Sequence, residues 1–352
     1  MSSGALREPA PPLGSSLVAR APRAPDSVLV FPLPLVGSVL VDSVVVGSVL
    51  VDSVVVGRVA YSAGMTLAEE RSIIGALSPS RAGDFMTCPL LYRFRVIDQL
   101  PERPSPAAVR GTLVHAVLER LYDLPAEART TAAAQDLLEP QWERLLTEEP
   151  EYAGLFETDE ERGKWLAQAR TMVERYFTLE DPRLLEPAER EMYVETVLES
   201  GLMLRGYIDR LDVAPTGEIR VVDYKTGTAP RQDFEAKALF QMKFYALALW
   251  RLNGTVPRML QLMYLGNGEI LRYTPDEADL RATERKVQAL WEAIERSVRT
   301  REWRHRPSRL CDWCDHQALC PEYGGTPPPV PEHRPGTSSR GRGRPRSATD
   351  EL

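Results

Sequence analysis

Val114, Val117, Leu118 and Leu121 recur at helical intervals, so one apolar stripe predicts a helix over Gly111–Tyr122. Similar periodicity predicts helices over Ala134–Glu148, Asp159–Leu179, Phe234–Leu252 and Glu277–Arg301. Shorter apolar runs predict strands at Met192–Leu198, Met203–Val213, Glu218–Lys225, Arg258–Leu265 and Glu269–Tyr273. Gly266-Asn267-Gly268 lies between the last two as a hairpin turn. Helices first, then strands mixed with helices, predict an α/β core with a modest sheet inside a helical shell.

The two ends break this pattern. Residues 1–34 and 324–352 hold 13 of the 29 prolines, and the ten residues Gly37–Val46 recur unchanged as Gly47–Val56. Two short copies cannot bury a stacked core. Nor does the segment suit a membrane, because Asp42 and Asp52 would each cost ~2.5–3.5 kcal/mol near the bilayer centre. The expected organisation is therefore a low-complexity extension over 1–64, disordered or untranslated, with Met65 as an alternative start. A single domain would follow over 65–323, then a disordered Pro/Gly/Arg-rich tail over 324–352. That tail contains Arg342-Gly343-Arg344-Pro345-Arg346, which resembles a minor-groove hook and is better explained as a solvated basic tail.

Composition narrows the chemistry. The chain has 352 residues, with 43 Lys+Arg against 50 Asp+Glu and a net charge of −7, so any nucleic-acid surface must be a local patch. One candidate is the run of six arginines from Arg296 to Arg309, in which Glu302 is the only acid. Four cysteines exclude a disulfide scaffold. The sequence has no H-E-x-x-H, no phosphate-binding G-x-x-x-x-G-K-[ST] and no G-x-S-x-G. With no secretory leader pattern either, a cytoplasmic location without membrane attachment is expected.

The informative stretch is Leu204–Val213 followed by Ile219–Gly227. Pro215 and Gly217 mark a turn between them, and centring a hairpin on Thr216 pairs Val213 with Ile219 and Asp209 with Asp223. Opposed residues have Cβ atoms ~4.5–5.5 Å apart, so the two carboxylates would repel unless a positive charge lies between them. The two-residue period adds Lys225 to the face of Asp223. Two acids and a lysine around a gap are what metal-assisted phosphoryl chemistry needs.

Gly206-Tyr207-Ile208-Asp209 followed by Asp223-Tyr224-Lys225 resembles the second and third motifs of the PD-(D/E)XK nuclease superfamily, closest to its RecB-type exonuclease branch. Gly111-Thr112-Leu113-Val114-His115 matches that branch's upstream G-x-x-x-H, and Gln241-Met242-Lys243-Phe244-Tyr245 matches its Q-x-x-x-Y. The resemblance runs from about Ser78 to Tyr323. It implies a restriction-endonuclease-like core, a small mixed central sheet flanked by helices. It also implies His115, Asp209 and Asp223 as ligands of Mg2+ or Mn2+ and Lys225 as the catalytic lysine, with Asp209 and Asp223 catalytic alongside it. Gln241 and Tyr245 become supports near the substrate. An imidazole ligand leans such a site towards manganese tolerance.

Cys311-Asp312-Trp313-Cys314, Cys320 and the distant Cys88 complete the inventory. By spacing alone, four thiolates suit zinc. The arrangement of one early cysteine and a late triplet also resembles the 4Fe–4S staple of AddB-type nucleases, which would clamp the domain's ends far from the chemistry. The resulting expectation is a metal-dependent DNA nuclease of repair or recombination, with DNA as partner and a separately encoded helicase as a candidate second one. A CRISPR spacer-acquisition nuclease and a non-catalytic nucleic-acid-binding module are the alternatives.

Overall fold

The computed structural model describes residues 75–229 and 235–331; the tandem repeat, the Met65 start and the basic hook lie outside them. A five-stranded sheet runs in the order β1 (Glu189–Val197), β2 (Met203–Val213), β3 (Ile219–Lys225), β4 (Met259–Tyr264), β5 (Glu269–Tyr273). Only β3 and β4 are parallel; helix α7 (Glu235–Asn253) connects them. Strand β3 is buried along most of its length, with Ile219, Val221, Val222 and Tyr224 in the core, because helices cover both its faces.

On one face, Val221, Leu260 and Leu262 pack with α1 (Pro79–Thr87), α7 and α8 (Glu277–Thr300). On the other, Val222, Tyr224 and Met263 pack with α3 (Pro106–Leu121), α4 (Thr131–Asp136), α5 (Leu138–Glu148) and α6 (Asp159–Leu179). The mixed sheet between two helical layers is the expected α/β class. No helix among the described residues is long and apolar enough to cross a membrane.

Several elements differ from the sequence-based expectation, each for a local reason. Helix α3 starts five residues early, where Ser105 caps the N–H of Ala108 and Pro106 occupies the first turn. The single helix expected over Ala134–Glu148 is two, because Pro140 cannot donate to the carbonyl of Asp136 and its ring crowds it. Residues 79–97, where no element was expected, hold α1, the short α2 (Pro89–Tyr92) and a wide helical turn over Arg93–Ile97. Cys88 separates α1 from α2 in an extended conformation, as a residue before proline prefers. Residues 324–331, assigned by composition to a disordered tail, are held against the domain: the buried Arg93 donates to the Pro328 carbonyl, and the Gly325 N–H to that of Cys320.

Candidate active site

The β2–β3 hairpin forms in the expected register. Gly217 takes the positive φ of +85° that its turn requires, and the ladder pairs Val213 with Ile219 through to Arg210 with Val222. There it stops. Continuing the register places Asp209 opposite Asp223, but the Asp209 carboxylate instead accepts the Tyr224 main-chain N–H at 2.7 Å.

The other edge of β2 changes at the same level. Arg190 pairs with Arg210 and Met192 with Ile208, so Glu191 stands across from Asp209, with its backbone left-handed at φ +46°. Residues two apart on a strand normally share a face. Here Ile208 belongs to the core beneath α7, whereas Arg210 reaches Tyr122 and Tyr176 on the opposite side. The hairpin thus reverses its inward face at Glu191 and Asp209, and both carboxylates lie at the reversal.

Helix α3 supplies His115 to the same point. Its Nε2 lies 2.9 Å from the Tyr224 carbonyl oxygen, an obligate acceptor, so Nε2 carries the proton and Nδ1 the lone pair. Nδ1 is 3.5 Å from the Asp209 carboxylate and 3.9 Å from that of Glu191. Burial pushes the His115 pKa down, against the opposing pull of Asp223 and Glu191, which favours neutral imidazole. A lone pair facing two carboxylates is an arrangement a cation resolves. His115, Glu191 and Asp209 each offer a ligand atom within 4.8 Å of the others, the only such group among the described residues. Their mixed N/O donor set fits a divalent cation.

Asp223 sits beside this group, 2% exposed, with a different set of contacts. Its carboxylate pairs with Lys225 Nζ at 2.7 Å and accepts from Gln241 Nε2 at 3.0 Å. The Gln241 carbonyl in turn accepts from Lys225 at 2.9 Å, and its amide reaches the Tyr245 hydroxyl at 3.4 Å. Burial pushes the Tyr245 phenol up, keeping it protonated. Gly206 makes room for that ring, since a Cβ there would lie 2.8 Å from Tyr245 Cε1. Of the expected residues, His115 and Asp209 therefore converge with Glu191 as a candidate cation-binding group, whereas Asp223, Lys225, Gln241 and Tyr245 form an adjoining hydrogen-bonded chain. Glu191 was missed, because the charged Glu189-Arg190-Glu191 lacks strand alternation. Centring the β1–β2 turn on Ser200 would have paired it with Asp209.

A cleft of about 1280 Å³, larger than a typical small-molecule pocket, opens over these groups. Arg81, Tyr193, Arg205, Tyr207 and Trp313 line it. Cys314 borders the same cleft, so the cysteine segment is not remote from the candidate site as expected. Cys88, Cys311, Cys314 and Cys320 together line a smaller adjoining cavity. Burial pushes the Cys314 thiol up, and the other three sulfurs add to the effect. Four sulfurs around one cavity suit a thiophilic metal, whose charge would favour the thiolates. Their segment is docked by buried His316, which contacts Glu102 at 2.9 Å, and is braced internally by Gln317, which donates to the Cys311 carbonyl. The arginine run leads into this region: the Arg304 carbonyl accepts from Leu90 N–H, and Arg306 donates to the Met86 carbonyl.

The profile of the PD-(D/E)XK nuclease superfamily matches residues 76–321, which span the sheet, its covering helices and all four cysteines. The chain belongs to that superfamily. Its relatives include the Gene 69 protein of Mycobacterium phage D29, 26% identical over 271 residues, covering 70% of this chain and 96% of the phage protein. The Gene 69 protein of Mycobacterium phage L5 is 23% identical over 296 residues, covering 73% and 100%. Among solved structures, a protein from Eubacterium rectale provisionally described as an exonuclease is similar at 14% identity and a TM-score of 0.46, covering 72% of this chain and 94% of its own. Superfamily nucleases use divalent metal ions, in keeping with the His/Glu/Asp group found here.

Proposed function

We propose that the chain is a Mg2+- or Mn2+-dependent deoxyribonuclease of the RecB type, hydrolysing phosphodiester bonds from DNA ends during repair or recombination. The observation that carries this reading is the His115 Nδ1 lone pair facing the carboxylates of Asp209 and Glu191, in the same cleft as Lys225 of the Asp223-Tyr224-Lys225 motif. His115, Glu191 and Asp209 would hold the cation, with Asp223 beside them. When bound, a divalent cation supplies Lewis acidity and lowers the pKa of a coordinated water.

The protein's own groups do the rest. Lys225 stabilises negative charge that develops on the phosphate, and Asp223 with Gln241 fixes its direction. Tyr245 holds Gln241 from behind. The Tyr224 peptide sets two of the cation-binding side chains at once, its N–H on Asp209 and its carbonyl on His115.

The four cysteines would hold a second metal group. The early Cys88 and late Cys311, Cys314 and Cys320 around one cavity are the support for a 4Fe–4S cluster, with zinc as the alternative. DNA is the partner, and a separately encoded helicase would supply unwound ends to a chain without a phosphate-binding loop of its own.

Incubating the purified full chain with end-labelled linear DNA and closed circles, with and without Mg2+ or Mn2+, tests the activity. Cation-dependent loss of the linear form with circles intact is expected. Equal cutting of circles would overturn the end-dependent mode, and no cutting with either cation would overturn the nuclease reading.

A further inference from the structure

Beyond the reversal at Glu191 and Asp209, the β1–β2 hairpin presents a second feature to the cleft. Tyr193 and Tyr207 face each other in the ladder, with ring centroids 5.2 Å apart and planes tilted by 53°. They are 47% and 43% exposed, among the few large apolar side chains left in water. Each lies two residues along its strand from a candidate cation ligand, Glu191 or Asp209, a separation of ~7 Å. Both line the cleft that holds His115, Asp209 and Lys225.

The surrounding charges fit a polyanion. Arg81 and Arg205 line the same cleft and are close enough to repel each other, which helps lower the Arg81 pKa after burial has done most of the work. Arg205 stands across the ladder from Glu195, but Glu195 accepts the Tyr193 hydroxyl instead. Among the described residues the Arg205 side chain makes no hydrogen bond or ion pair, and that bond at Glu195 also steadies the Tyr193 ring. Two neighbouring guanidiniums beside two exposed aromatic rings form the combination that binds single strands, phosphates on the cations and base faces on the rings. In a duplex those base faces are already stacked on their neighbours and unavailable.

We infer that Tyr193 and Tyr207 form a stacking platform for unpaired nucleobases, with Arg81 and Arg205 holding the adjacent phosphates, so that a single DNA strand is the form delivered to Asp209 and Lys225. This deepens the nuclease reading and rests on it for the direction of delivery.

The test measures anisotropy of the full chain, in EDTA so that no strand is cut, with labelled oligo(dT), an abasic oligonucleotide of equal length and a blunt duplex. The wild type should bind oligo(dT) more tightly than the other two. Tyr207→Ala should weaken oligo(dT) binding about fivefold to a hundredfold and leave abasic binding unchanged, whereas Tyr207→Phe should retain affinity. Arg205→Gln should weaken oligo(dT) and abasic binding alike. Unchanged oligo(dT) affinity in both Tyr207→Ala and Tyr193→Ala would overturn the platform, and so would equal losses on oligo(dT) and abasic strands. A separate cleavage assay with Mn2+ keeps the two readings apart. A wild type that cuts nothing sinks the nuclease reading, while the difference between oligo(dT) and abasic binding still decides the platform.

Discussion

The main-chain N–H of Tyr224 donates to the Asp209 carboxylate at 2.7 Å, at the point where the β2–β3 ladder ends. A side chain has taken the place of a ladder acceptor, and it holds Asp209 in one orientation before any cation arrives. Asp209→Asn keeps an oxygen for this bond and removes the charge. It should fold with near-native thermal stability and lose cation-dependent cleavage to background in a single-turnover assay.

Glu191 should separate stability from cation affinity. A left-handed conformation costs a non-glycine residue about 1 kcal/mol or more, and Glu191 holds it at φ +46° within a strand. Glu191→Gly should therefore raise the urea unfolding free energy by about 1 kcal/mol. The same variant should bind Mn2+ at least about tenfold more weakly by calorimetry, as expected for loss of a charged ligand. Native Mn2+ affinity in that variant would remove Glu191 from the ligand set.

Lys225 divides binding from chemistry in a different way. Its ammonium contacts Asp223 and Gln241 and belongs to no ligand group. Lys225→Met should abolish cleavage while calorimetric Mn2+ affinity stays within a few-fold of native. Near-native cleavage by Lys225→Met would show that another group stabilises the phosphate.

Behind the site, Arg210 is 1% exposed and donates to the hydroxyls of Tyr122 and Tyr224 at 2.9 and 2.8 Å while pairing with Glu180 and Asp212. Removing one partner of a buried ionic network leaves uncompensated charge, at about 3–5 kcal/mol. Arg210→Met should lose that much in urea unfolding. Part of its activity loss should survive under conditions where it is fully folded, because the Tyr224 ring that Arg210 anchors belongs to the residue whose peptide sets His115 and Asp209.

The cysteine cavity makes its own prediction. Anaerobically purified protein should carry about four irons per chain, and Cys88→Ser should be colourless and poorly soluble. Stoichiometric zinc without iron would preserve the architecture and replace the ion.

Much of the site was legible because strand register follows simple counting: the Thr216-centred hairpin forms with the expected pairs, and α6 and β2 have the expected bounds. His115 was legible through the resemblance of Gly111–His115 to the family's G-x-x-x-H pattern. Glu191 was not, since its strand begins with three charged residues, and the half-burial of Arg190 and Glu191 comes from tertiary contacts with α3, Arg190 on the Glu119 carbonyl and Glu191 beside His115. Nor could periodicity reveal α1 and α2. Pro79 and Pro89 start them, and the helices are too short to show a stripe. The nearness of Cys314 to the cleft is a tertiary fact that spacing along the chain does not encode.

The cavity shared by Cys88 and Cys311 bears on how the protein is made. More than 200 residues separate the two cysteines, and every strand of the sheet lies between them. During synthesis Cys88 leaves the ribosome long before its three counterparts exist, and its α1–α2 segment must wait for α8 before Leu90 can reach the Arg304 carbonyl. A chain released early, even one with a complete sheet, would expose that lone thiol and the apolar flank around it. If the proposed cluster is inserted at this cavity, it would mark chains that have been finished from those that have not.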